Sequence, residues 1–225
     1  MIRKIYPGSE HIISKPQFGF GKKYNDYGWG FYCTEDLSLA KEWAVDFERD
    51  GFANVYEINC QDMKILNLND ESYCILHWLA ILLENREFEV QSALGYDAKQ
   101  YLLENFRIDY EAYDIVIGYR ADDSYFSFAQ DFVNGIISYR QLNNALHLGG
   151  LGEQFVLKSK QAFERIQFVK AEIAQHESWY AKKELRDRSA RREYFDLERN
   201  RRRKDDIYMM QIMDEEMRAD DLRVR

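Results

Sequence analysis

The sequence predicts an α+β fold followed by a charged helical tail, and three observations lead there. Short runs rich in β-branched and aromatic residues recur at 2–6, 31–34, 55–59, 63–68, 113–119, 153–159 and 166–174. Between them lie longer stretches whose apolar residues repeat at helical spacing. From about residue 175 strand character is lost, and an Arg-rich pattern takes over, with opposite charges often three or four positions apart. The expected organisation is a mixed domain over 1–174 and a helical tail over 175–225.

The elements follow in order. Residues 2–6 form a short strand that enters a loop rich in Gly and Lys, and 31–34 form a second, aromatic strand. Thr34 is placed to cap the next helix. There Leu37, Ala40 and Ala44 lie near one face, with Leu39, Trp43 and Phe47 beside it, and Gly51 is placed to end it. Residues 71–86 are so strongly apolar that the helix they predict must be buried on most of its surface. Segment 95–105 is a more polar helix, 113–119 a buried strand, and 128–135 a helix closed by Gly135. Asp122 and Asp123 read as a cap with its first-turn charge. Ser138 opens a short helix that stops at Gly149 and Gly150, and two strands separated by a helical turn complete the domain. In the tail, Ile207, Met210 and Met217 share a helical stripe.

Composition narrows the function. With 46% hydrophobic and 15% aromatic residues, the chain can bury a substantial core, and its 16 Tyr and 14 Phe supply rings suited to stacking on flat ligands. A net charge of −8 argues against a protein that coats nucleic acid, and the sequence carries no strong nucleic-acid signature. Residues 181–225 hold 14 basic and 12 acidic residues against 17 and 27 in the rest. A slightly basic tail on an acidic body implies that the tail docks back or carries a partner surface. Cys33, Cys60 and Cys74 form an odd set without CxxC spacing, which excludes a disulfide scaffold or a Cys-rich zinc site. The first residues lack an apolar signal region, and no run reaches membrane-spanning length. The expected setting is the cytoplasm, with no membrane partner and no metal.

Three stretches carry chemistry. Tyr6-Pro7-Gly8-Ser9 follows the first strand, Tyr27-Gly28-Trp29-Gly30-Phe31-Tyr32 enters the second, and Gly152-Glu153-Gln154-Phe155-Val156 opens a late one. In this order they resemble the H-Y-E class of ADP-ribosyltransferases, the class of poly(ADP-ribose) polymerases and diphtheria-type toxins. Trp43 stands 11 positions after Tyr32, where the polymerases carry a second aromatic residue. The chain also looks like an uncharacterised bacterial branch of that superfamily, whose members are often suspected toxins of toxin–antitoxin pairs. The resemblance covers residues 1 to about 170.

The resemblance implies a split β-sheet core flanked by helices, NAD as substrate, a macromolecular target and a cognate antitoxin. It assigns Tyr32 and Trp43 to the two faces of nicotinamide, the Gly8 backbone to its amide, and an added hydroxyl to Ser9. Breaking the nicotinamide–ribose bond builds positive charge on the ribose, which the late-strand carboxylate of the family stabilises. That position is Gln154 here, and Glu153 beside it would point to the opposite face of a strand. The family His, which holds the adenosine ribose, is Pro7. Gln in place of Glu goes with mono-ADP-ribosyl transfer among relatives. Three functions stay open on the residues alone: a mono-ADP-ribosyltransferase, a catalytically silent protein that keeps an NAD-shaped pocket, and an interaction protein whose tail is the working part.

Overall fold

The structure, a computed structural model of the chain, describes residues 1–225 except 91, 122 and 151. It is an α+β protein that divides into two compact units. The first comprises 1–67, 110–118 and 151–186, and the second comprises 68–109, 119–150 and 187–225.

The first unit is built on two sheets. In one, β1 (Ile2–Ile5) and β2 (Gly8–Ser9) both run antiparallel to β4 (Gly51–Asn59), which also pairs antiparallel with β8 (Ile166–Ala174). The other has the order β3 (Phe31–Cys33), β7 (Glu153–Leu157), β6 (Ile115–Tyr119), β5 (Ile65–Asn67), with β3–β7 antiparallel and β5–β6 parallel. One apolar cluster draws on both: Ile5, Tyr56 and Ile58 come from the first sheet, and Cys33, Ile117, Phe155 and Leu157 from the second. The sheets are stitched where Tyr6 and Thr34 exchange backbone hydrogen bonds of 2.8 and 3.1 Å. Beyond that bridge β2 stays with β4 while β3 stays with β7, so the two strands part.

Local chemistry sets the boundaries. Pro7 has no N–H to give the ladder, and the strand breaks there into β1 and β2. Helix α1 (Leu37–Ala44) starts at Asp36, whose carboxylate accepts from the N–H groups of Ser38 and Leu39. The cap expected at Thr34 is thus two residues early; the Thr34 hydroxyl instead accepts from the Asp36 N–H at 3.2 Å. Gly51, expected to end α1, is the first residue of β4. A Cβ there would lie 2.0 Å from the Ala44 carbonyl oxygen, so glycine is what lets β4 begin against the helix end. The short α6 (Lys160–Glu164) links β7 to β8. The start of α7 (His176–Glu193) covers α1: Arg186 grips the buried Glu42 through two bonds of 2.9 Å, and Trp179 and Tyr180 pack on Ala44 and Val45.

The second unit is helical. In α2 (Ile75–Asn85) every residue from Ile75 to Leu83 is buried, as its apolar run requires. His77 is structural here, since its Nδ1 accepts from the Cys74 N–H at 3.0 Å and caps the helix. The polar α3 (Ala93–Asn105) is capped by Ser92. Gly135, at φ 73°, follows α4 (Asp123–Val133), and Asp122 lies outside the described residues. Ser138 and Gln141 cap α5 (Tyr139–Ala145) reciprocally.

Much of the tail packs within this unit. Tyr194, in a π-helical turn spanning Tyr194–Glu198, stacks on Phe128 at 3.8 Å and donates to Asp131 at 2.6 Å. Arg140 grips Asp206 at 2.7 and 3.0 Å. In α8 (Met209–Asp214) the buried residues are Met209 and Ile212, followed by Met217. The expected stripe therefore shifts by one residue at Met210, which is exposed, because a helix of only 6 residues replaces the longer one. Among the described residues no helix is long and apolar enough to cross a membrane.

Candidate functional site

Strand registry brings the sequence motifs to the place where the sheets part. The Asn54 N–H donates to the Pro7 carbonyl at 3.0 Å, which makes Pro7–Asn54 a hydrogen-bonded pair. Alternation then makes Gly8–Ala53 a non-hydrogen-bonded pair. The N–H and C=O of Gly8 are thereby turned away from β4, along the edge on which Tyr6 bonds Thr34 two residues earlier. Tyr32 stands two residues from Thr34 in the same direction. Gly8 and Tyr32 thus occupy matching positions on the two lips of the split.

One face gathers the rest. Residues paired across β3 and β7 share a face, so Tyr32 goes with Val156 and Thr34 with Gln154, while Cys33 and Phe155 point into the inter-sheet core. On the neighbouring sheet, Gly8 turns its Cα towards α1. A Cβ on Gly8 would lie 2.2 Å from the Ala40 carbonyl oxygen and 3.0 Å from the Trp43 Cβ. The packing of α1 by itself therefore demands a glycine here. What remains available to a ligand is the backbone edge.

The Tyr32 ring is half-buried, and its hydroxyl donates to the Gly28 carbonyl at 2.7 Å while accepting from the Tyr27 N–H at 3.0 Å. Burial is the main cause that pushes this phenol above its ordinary range. The hydroxyl serves the loop, which leaves the ring as the part that could meet a ligand. Trp43 is also half-buried. The glycines of the motif have internal reasons. Gly28 takes φ 67°, and a Cβ on Gly30 would lie 2.5 Å from Val156 Cγ1.

Gln154 is 7% exposed, and its Oε1 has no hydrogen-bond partner among the described residues. Glu153 lies on the other face of β7, as alternation requires; there burial, and then Glu35, raise its pKa while Arg3 lowers it. Glu153 is thus separated from Tyr32 and Gln154. Pro7 and Ser9 share the parity of Ile5 and face away from α1. The Ser9 hydroxyl donates to the His11 carbonyl at 2.6 Å and accepts from Asn54 Nδ2 at 2.8 Å, so it is engaged in holding the loop start rather than lying with the Gly8 edge.

Two residues escaped the sequence reading. Lys158 is buried, and its ammonium donates to the carbonyls of Tyr27 and Trp29, both at 2.6 Å, and to Glu111 at 2.8 Å. Burial lowers its pKa and Glu111 opposes the shift. It clamps the loop that delivers Tyr32. Asn54 does the same for the other lip, through Ser9 and the Ile13 N–H. The only sequence signal for either was a polar residue in an apolar strand. Among the described residues no group of three or more His, Cys, Asp or Glu is placed to hold a metal ion.

A family model described as protein of unknown function (DUF3990) matches residues 3–168, a span that contains Gly8, Tyr32, Trp43, Gln154 and Lys158. No curated protein and no solved structure matches the chain.

Proposed function

We propose that this chain, which belongs to the DUF3990 family, binds NAD where its sheets part and transfers single ADP-ribose units to a macromolecular target. The observation that carries the reading is the Gly8 edge: a backbone N–H and C=O turned out of the ladder, facing the lip that holds Tyr32. A carboxamide presents the matching acceptor and donor, and nicotinamide carries one. Tyr32 and Trp43 offer rings for its two faces.

In the transfer, the bond between the nicotinamide nitrogen and ribose C1′ breaks, and its electron pair leaves with nicotinamide, which departs neutral. C1′ becomes oxocarbenium-like and is attacked by a nucleophile of the target, which then gives its proton to solvent. Gln154 Oε1, buried on the Tyr32 face, would accept from a ribose hydroxyl and orient C1′. As a neutral amide it gives the cation less help than a carboxylate, in keeping with single transfers rather than chain building. In a cell such an activity is toxin-like and calls for an antitoxin.

Pro7 and Gln154 favour a second reading, a catalytically silent NAD-binding module. Incubating the protein and its Tyr32→Ala variant with labelled NAD and cell lysate separates the two. Label on a macromolecule that depends on Tyr32 supports transfer; NAD binding without any label supports the silent module.

A further inference from the structure

Residues 14–25 join the two lips of the split. At one end the Ile13 N–H donates to Asn54 Oδ1 at 2.9 Å and the Ile13 carbonyl accepts from the Tyr56 hydroxyl. At the other end Lys158 holds the Tyr27 and Trp29 carbonyls. Whatever binds this loop is therefore held beside Gly8 and Tyr32.

The loop is a purely basic stretch of an acidic chain, as residues 199–204 of the tail also are. Lys15, Lys22 and Lys23 are exposed, none has an ion-pair partner among the described residues, and no acid lies between His11 and Asn25. With three positive charges here, the remainder of the chain carries a net −11. Interleaved with the lysines are Phe18, Phe20 and Tyr24, which are 55%, 80% and 70% exposed. Phe18 rests edge-on against Phe163. Phe20 lies between Gly19 and Gly21, at φ 79° and 143°. A Cβ on Gly19 would meet nothing within 4 Å, and one on Gly21 only the Gly30 carbonyl oxygen at 3.7 Å. Packing does not require these glycines; the backbone path that presents Phe20 does.

We infer that this loop is a docking surface for single-stranded nucleic acid, and that a nucleotide of that strand is the acceptor of the proposed transfer. The acceptor role rests on the reading above, whereas the docking surface does not. Cations alternating with open rings match phosphates alternating with bases, and stacking requires bases that are not already paired. An acidic protein would answer the lysines and leave the rings without a counterpart. The acidity of the chain argues against coating a duplex, and it confines the contact to about three phosphates.

Fluorescence anisotropy of labelled 12-mers of dT and of rU with the full chain tests this. Binding at low salt should weaken with a log–log salt slope of roughly −2, as three phosphate contacts on a single strand give. K22E/K23E should weaken it at least about tenfold, and Phe20→Ala at least about fivefold, the lower end of one stacked base. Whichever of dT and rU binds more tightly identifies the source of the strand. A duplex bound as tightly as the single strand, equal binding by K22E/K23E, equal competition by polyglutamate, or no binding at 20 mM salt would each overturn the inference. NAD titrated in parallel keeps the two ideas apart. Oligonucleotide binding without NAD binding removes the transferase and leaves the docking surface; the reverse removes the docking surface.

Discussion

Gly8 lies against the backbone of α1 beside Trp43, with room for no side chain between them. A Cβ at position 8 would come within 3.0 Å of the Trp43 Cβ and still closer to the Ala40 carbonyl oxygen and Ala44 nitrogen. The contact fixes the lip that carries the outward-turned amide to the helix that carries the indole. Gly8→Ala must push α1 away, and overpacking of this kind costs roughly 1–3 kcal/mol. Urea unfolding should show that loss, together with weaker NAD binding. An unchanged midpoint would mean that α1 gives way freely.

Lys158→Met should loosen the 27–30 loop without emptying its space. The buried Tyr27 carbonyl and the part-buried Trp29 carbonyl lose their shared donor, at roughly 1–3 kcal/mol for a buried acceptor left unsatisfied and less for one that water reaches. Glu111 is largely solvated and loses little. Near-ultraviolet circular dichroism should weaken as Tyr27 and Trp29 lose their fixed surroundings. Unaltered stability and spectrum would show that the clamp is dispensable.

High pH should unfold the chain cooperatively. Burial holds the phenols of Tyr32, Tyr56 and Tyr194 above the ordinary value of 10.0. Above pH 10 the unfolded chain binds fewer protons than the folded one, so stability falls by up to ~1.4 kcal/mol per pH unit for each such tyrosine. Below pH 10 this contribution is fully present. Lys158 acts the other way, because its lowered pKa lets stability rise with pH up to its unfolded value of 10.5, but it is one group against these three and the likewise raised Tyr101 and Tyr139. Tyrosinate absorbance should therefore jump together with the loss of far-ultraviolet dichroism. A smooth titration of all 16 tyrosines in a folded protein would contradict the burial described.

Gln154→Met separates stability from function. It removes a buried acceptor that has no partner among the described residues, and such acceptors cost roughly 1–3 kcal/mol. The variant should melt at the native temperature or above it while binding NAD less tightly. A clear loss of stability would show that Gln154 serves the fold instead.

The strand pattern was the most legible part of the sequence. β8 occupies Ile166–Ala174, as its apolar run indicated, and period-two alternation correctly set Gln154 and Glu153 on opposite faces. The α2 helix and the Ser138 cap were readable for similar reasons, because each depends on residues close in sequence. Features set by distant contacts were not readable. Gly8 answers to a helix more than 30 residues away, and Lys158 reads as the polar end of an apolar strand until it is seen reaching Tyr27, 131 positions earlier. The hydroxyl of Ser9 looked available because its donor, Asn54, meets it only once β2 pairs with β4.

The claim that NAD binds where the sheets part is tested most directly by calorimetric titration of NAD into the native chain and its Trp43→Ala variant. The native chain should bind in the micromolar to millimolar range, with nicotinamide competing. Trp43→Ala should weaken binding by about threefold or more, since a ring stacked on one face contributes roughly 0.5–1.5 kcal/mol beyond its buried area. Native protein that gives no heat and no competition with millimolar NAD, or a variant that binds as tightly as the native chain, would contradict the account.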